Sequence, residues 1–120
     1  MVWEREPNNV FTEANGPILS DVIYYGLFPG SGDLNDYYAF DVSAPHSVEV
    51  WLTSIGSGHN YDILLRDDIG QIPGAYSGNL GNANEHIFVP ALAMGRYYIR
   101  VINRSESSSQ QPYQVRVVYE

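Results

Sequence analysis

Ser47-Val48-Glu49-Val50-Trp51-Leu52-Thr53 alternates in residue type, with Val48, Val50 and Leu52 on one parity and Glu49 and Trp51 on the other. Successive side chains of a β-strand leave on opposite faces, so this stretch reads as a strand with one face toward a core and one toward water. Residues 113–119 repeat the pattern, with Tyr113, Val115, Val117 and Tyr119 opposing Gln114, Arg116 and Val118. Working outward, residues 21–28, 36–42, 61–66, 85–89 and 96–103 are rich in Tyr, Val, Ile and Phe, and a short strand is expected near residues 75–77. Turn residues separate them at intervals of about ten positions, as in Pro29-Gly30-Ser31-Gly32, Gly56-Ser57-Gly58 and Asp68-Ile69-Gly70. Apolar residues at helical spacing are scarce. The expectation is an all-β, antiparallel sandwich in a single domain.

Composition narrows the function. The 120 residues are 44% hydrophobic and 17% charged, enough for one core and too lightly charged for a disordered tail. The basic residues are all arginine, 6 against 14 acidic ones, and the formal charge of −8 would repel a phosphate backbone or an anionic bilayer. Nucleic acid and membrane are therefore not expected as partners. Without lysine there is no phosphate loop ending in Gly-Lys-Ser/Thr, no Schiff base and no Ser-Lys dyad. Without cysteine there is no disulfide, thiolate metal site or cysteine nucleophile. His46, His59 and His86 are far apart and form no His-Glu-x-x-His pair, and Ser77 lacks the flanking glycines of a nucleophile elbow. The chain is expected not to be an enzyme. No basic start with an apolar run resembles a signal peptide, and the chain reads as a soluble fragment of a longer secreted protein.

Two groups of residues could carry a function. Glu4-Arg5-Glu6-Pro7-Asn8-Asn9 is dense in oxygen-bearing side chains, and Asp33-Leu34-Asn35-Asp36 adds two carboxylates just before a strand. Calcium accepts about six to eight oxygen ligands in irregular geometry and suits such a mixture. Glu4, Glu6, Asp33 and Asp36 gathered together would repel one another unless a cation neutralised them. A solvated acidic segment beside an Asp-rich turn accounts for the same residues. Trp51, on the wetter parity, is either covered or free to meet a partner. With Tyr76, Tyr24 and Tyr25 it makes a candidate aromatic platform for a protein or sugar polymer.

The segments Glu6-Pro7-Asn8-Asn9, Thr12-Glu13-Ala14-Asn15-Gly16-Pro17, Gly32-Asp33 and Asp36-Tyr37-Tyr38-Ala39-Phe40-Asp41-Val42 together resemble a bacterial pre-peptidase C-terminal domain. Tyr61-Asp62-Ile63-Leu64-Leu65, Gly95-Arg96-Tyr97-Tyr98-Ile99-Arg100-Val101 and Pro112-Tyr113-Gln114-Val115 extend the likeness over nearly the whole chain. The resemblance implies a jelly-roll-like β-sandwich serving as a non-catalytic accessory domain of a secreted bacterial protease or other exported enzyme. Its expected partners are the parent's catalytic domain and a protein or polysaccharide substrate. The collagen-binding domains of clostridial collagenases are similar, and hold calcium on an E-x-E-x-N-D type segment and a D-x-x-D pair. By that likeness Glu4, Glu6, Asn8, Asn9, Asp33 and Asp36 would hold one or two calcium ions, clamping a linker of residues 1–17 onto a sandwich of residues 18–120. Asn9 stands where the relatives often have Asp, which keeps an oxygen and loses a charge. Some of the outward tyrosines that contact collagen in those relatives lie late in the strand that follows the Gly-x-Tyr-Tyr start, and here those positions read Ile102, Asn103 and Arg104, against collagen specificity. A carbohydrate-binding or adhesion module using exposed aromatics is the alternative.

Overall fold

The alternating stretches are strands in the computed structural model, which describes residues 2–4, 8–28, 34–105, 109 and 111–119. In chain order these are β1 (Val2–Trp3), β2 (Tyr24–Gly26), β3 (Asn35–Val42), β4 (His46–Thr53), β5 (Tyr61–Arg66), β6 (Gln71–Ser77), β7 (Glu85–Leu92), β8 (Gly95–Asn103) and β9 (Tyr113–Val118). They form a five-stranded sheet in the order β1-β2-β9-β4-β7 and a four-stranded sheet in the order β3-β8-β5-β6. All pairings within them are antiparallel except β1 on β2.

The parity of each strand decides what fills the space between the sheets. Val48, Val50 and Leu52 of β4 and Val115 and Val117 of β9 have no exposed surface, and across from them neither do Tyr38, Phe40, Ile63, Leu65, Ile99 and Val101. Burying a Val, Leu or Ile side chain is worth about 1.5–3 kcal/mol, so this layer dominates the favourable side of folding. Several strands differ from the sequence reading, and β7 runs on past residue 89 to Leu92. The stretch 21–28 supplies only a three-residue strand, since Asp21 turns the chain with φ 63°. β6 starts at Gln71 and runs through Pro73 and Gly74; as the edge strand of its sheet it has a free side on which the missing proline N–H costs no ladder bond. β1 was not anticipated, because two residues carry no periodicity.

The N-terminal segment is woven into both sheets. Glu4 N–H donates to Tyr25 O at 2.9 Å beside the five-stranded sheet, whereas Asn8 O accepts Tyr37 N–H at 3.0 Å on the free edge of β3. Beyond a 3-10 turn at Phe11–Glu13, Asn15 N–H donates to Tyr37 O, Ala39 N–H to Asn15 O and Ile18 N–H to Ala39 O, at 2.7 to 2.9 Å. This coverage explains why five successive residues of β3 are buried despite their alternating faces. Gly16 makes the approach possible: its φ is +134° and a Cβ there would lie 2.4 Å from Ala39 O. Gly16→Ala should therefore destabilise the domain by about 1–3 kcal/mol. In hydrogen exchange the Ala39 amide should lose protection while the β4 amides, deep in the other sheet, exchange only as fast as the lower global stability dictates.

Candidate functional site

Around Glu4, beside the five-stranded sheet, and Asn8, on the edge of β3, oxygen atoms converge. Asn8 has no exposed surface. Its Nδ2 donates to Glu4 Oε1 at 2.9 Å, while Glu4 Oε2 accepts the Leu27 N–H. Asp36, equally buried, projects inward from β3 and its Oδ2 accepts the Tyr113 hydroxyl of β9 at 2.5 Å. Tyr38 completes the chain of hydroxyls, 2.7 Å from Tyr113; since Tyr113 donates to Asp36, Tyr38 must donate to Tyr113. Burial, then Tyr38, Asp36 and Glu4, push the Tyr113 phenol well above its ordinary value, so it remains an O–H donor.

Gly26 is the floor of this arrangement. A Cβ at that position would lie 2.3 Å from the Tyr113 hydroxyl oxygen and 2.7 Å from Glu4 Oε2, so both oxygens border the space that the missing side chain leaves. Asn8 Oδ1 is buried with no hydrogen-bond partner among the described residues. An unsatisfied buried amide oxygen costs about 1–3 kcal/mol. The donor set is entirely oxygen, the chemistry of a hard cation such as calcium, and the orphaned amide oxygen fits that use. Among the described residues no three His, Asp or Glu side chains converge, so Glu4 and Asp36 are the described carboxylates here. Glu6 and Asp33, the other two carboxylates expected from the sequence, lie outside the described residues. Asn9 is exposed beside Asn8.

The proposed aromatic platform does not assemble. Tyr24 is only 8% exposed and faces the core opposite Val115, with its hydroxyl accepting Leu19 N–H at 2.9 Å, so it is corrected to a core residue. Tyr76 is exposed but belongs to the outer face of the four-stranded sheet, where its hydroxyl donates to Asp62 at 2.6 Å. Tyr25 and Trp51 share the outer face of the five-stranded sheet. Trp51 is half-buried, with the Arg116 guanidinium 4.6 Å above its ring and His86 at 5.3 Å, so side chains rather than a loop cover it. A groove of about 220 Å³ remains, lined by Ile23, Trp51, Thr53, Gln114 and Arg116. Trp3, 45% exposed and 5.6 Å from Tyr25, belongs to the same face and was missed because β1 was missed. His46 lies 2.7 Å from its neighbour's Ser47 O and His86 pairs with Glu49 at 2.8 Å. The Ser105 hydroxyl is 3.5 Å from His59 and donates instead to Asn103 Oδ1 at 2.6 Å.

The sequence profile described as the bacterial pre-peptidase C-terminal domain matches residues 34–103, more than half of the chain. The chain belongs to that family. Collagenase ColA of Clostridium perfringens (strain 13 / Type A) is 28% identical over 109 residues, which are 90% of this chain and 10% of the collagenase. The chain thus spans about a tenth of the length of that curated relative. The crystal structure of the pre-peptidase C-terminal domain of a Bacillus anthracis collagenase superposes with a TM-score of 0.70 at 22% identity, covering 95% of this chain and 99% of that one. The two-sheet architecture of this pre-peptidase C-terminal domain is accordingly shared with a solved member.

Within the domain, Tyr113 is the residue that sequence reading assigned to a strand and the structure assigns to the site. Its inward parity on β9 was readable; its hydroxyl partner was not. Tyr113→Phe keeps the ring and removes the donor, leaving Asp36 Oδ2 without it. The variant should lose about 1–3 kcal/mol in urea denaturation with an unchanged m-value.

Proposed function

We propose that this domain is a calcium-stabilised, non-catalytic accessory module of a secreted protease, and that its N-terminal segment is a clamp closed over the edge of the sandwich. The observation that carries this reading is Asn8, fully buried, hydrogen-bonded to Glu4 through its amide nitrogen and left with an unpartnered oxygen. Glu4, Asn8 and Asp36 would contribute oxygens, together with Glu6, Asn9 and Asp33. Bound calcium would supply the positive charge that lets these carboxylates share one place. Glu4 ties the segment to Leu27, Asn8 ties it to Tyr37, and Tyr113 holds Asp36 in position from the opposite sheet. The likeness to collagenase domains supports a protease as the parent and an extracellular setting, where calcium is millimolar.

A ligand present at about a hundred times its dissociation constant adds about 2.7 kcal/mol to the folded state, a large part of a small domain's stability. Millimolar calcium should therefore raise the Tm by several degrees over a chelator control, magnesium at the same concentration should not, and Glu4→Gln should remove most of the rise. An equal response to both metals, or one untouched by Glu4→Gln, means that the N-terminal ligands are misassigned.

The Trp51 groove supports a second reading, an adhesion or carbohydrate-binding module. Retention of the domain on insoluble polysaccharide that disappears in Trp51→Ala supports it. Retention equal in the two proteins leaves the groove a purely structural feature.

A further inference from the structure

At the edge of the sandwich formed by β6 and β7, two buried carboxylates grip one short stretch of chain. Glu85 opens β7 in the five-stranded sheet and has no exposed surface. Its Oε1 accepts the Ser77 hydroxyl at 2.5 Å and the Asn79 N–H at 3.0 Å. Asp62, on β5 of the other sheet and 5% exposed, accepts the Tyr76 hydroxyl at 2.6 Å and Arg104 Nε at 2.9 Å, both on Oδ2. Residues 76–79 are thereby held from both sheets, and Ser77 lies in register with Ile63, the neighbour of Asp62. Both carboxylates concentrate their donors on one oxygen. Glu85 Oε2 and Asp62 Oδ1 are buried with no hydrogen-bond partner among the described residues.

An ionised carboxylate out of water needs donors on both oxygens or a cation, because its uncompensated charge costs several kcal/mol. Asp62 has Arg104. The elements packed on β7 bring Glu85 no such partner among the described residues. β4 sets Leu52 opposite it, and the nearby Glu49 and His86 pair with each other on the outer face. β6 brings the neutral Ser77 and Tyr76, and β5 brings the negative Asp62. Burial first, with Asp62 adding to it, raises the Glu85 carboxyl above its ordinary value against the pull of Ser77 and Asn79.

We propose that Glu85 takes up a proton on Oε2 in the folded domain as the pH falls from neutral toward the ordinary carboxylate range, and that losing this buried charge stabilises the packing of the two sheets at the β6–β7 edge. The proton comes from solvent and removes one buried negative charge, while Oε1 keeps the Ser77 and Asn79 bonds. In the unfolded chain a glutamate takes its proton only near about pH 4.3. The folded state therefore binds the proton first, and stability is gained as pH falls through the folded value and is fully present below the unfolded one. Asp41 and Asp67 run the other way. Arg96 holds the first below the ordinary range and the Gly70 and Ile69 N–H groups hold the second, so their contributions are lost only in more acid solution.

The test is run in chelator, which keeps it independent of the calcium clamp. Glu85→Gln is neutral and retains an acceptor for Ser77 and Asn79, so it should melt higher than the wild type at pH 8, with the gap closing toward pH 5. A gap equal at both pH values overturns the proposal. Should the amide pack badly, the wild-type Glu85 side-chain carboxyl carbon followed by NMR gives the same answer. Its midpoint should lie above the ordinary glutamate value of about 4.3. A midpoint at or below that value overturns the proposal. So does displacement of the resonance by millimolar calcium at fixed pH, which would assign the unpartnered oxygens to a cation.

Discussion

The free edge of β3 has backbone groups that must find partners, and meeting that requirement organises one whole side of the domain. An unpaired sheet edge either faces water or recruits another segment. Here the segment from Asn8 to Ile18 is recruited, and its bonds to Tyr37 and Ala39 carry the chain along the edge. Once that segment is in place, Tyr37 and Ala39 are buried on what would have been an outer face, and Asn8 is drawn out of water with them. The buried amide is a consequence of covering the edge, and it joins Asp36, which β3 already turns inward toward Tyr113. Their shared need for compensation is what makes the place a candidate for a cation.

The two polar clusters follow one design. Asp36 on the four-stranded sheet accepts from Tyr113 on the five-stranded sheet; Glu85 on the five-stranded sheet accepts from Ser77 on the four-stranded sheet. Each is a hydrogen bond from one sheet to the other, set where the apolar layer runs out. Apolar contacts between sheets are not directional and tolerate sliding, whereas a buried carboxylate with a single hydroxyl donor fixes one relative placement. A bond to a charged acceptor is worth about 1.5–3 kcal/mol, comparable to one buried aliphatic side chain. The sandwich is thus pinned near both lateral edges, by a tyrosine at one and a serine at the other.

Much of this was readable before any coordinates. Strict alternation in Ser47 to Thr53 and in Tyr113 to Tyr119 placed the core residues of β4 and β9, and the tyrosine-rich stretches after Asp36 and Gly95 gave β3 and β8 nearly to the residue. Parity also contained information that residue type concealed. Glu85 shares its face with Ile87 and is buried like it, although a glutamate invites an outward assignment. Of the adjacent Tyr24 and Tyr25, only one can face water, and Tyr24 is the one that shares the face of Val115. The burial of Asn8 was not readable, because it depends on long-range pairing to β3 and on no local pattern. The same holds for β1, whose two residues pair only because Tyr24 and Tyr25 already form an edge beside them.

A buried carboxylate is a poor way to gain stability, since its desolvation offsets most of what its bonds return, and a well-packed apolar replacement is often no worse. Its distinctive property is that its contribution changes with the solution, through protons or cations, where that of an aliphatic contact does not. A domain carrying a formal charge of −8 already works against its own compactness. Each proton or cation accepted by a buried acid lowers that self-repulsion as well as the local desolvation cost. The edges of this sandwich, one holding Asp36 and the other Glu85, are therefore where the stability of the fold is most open to its surroundings. The apolar layer between them sets a floor that the surroundings leave largely unchanged.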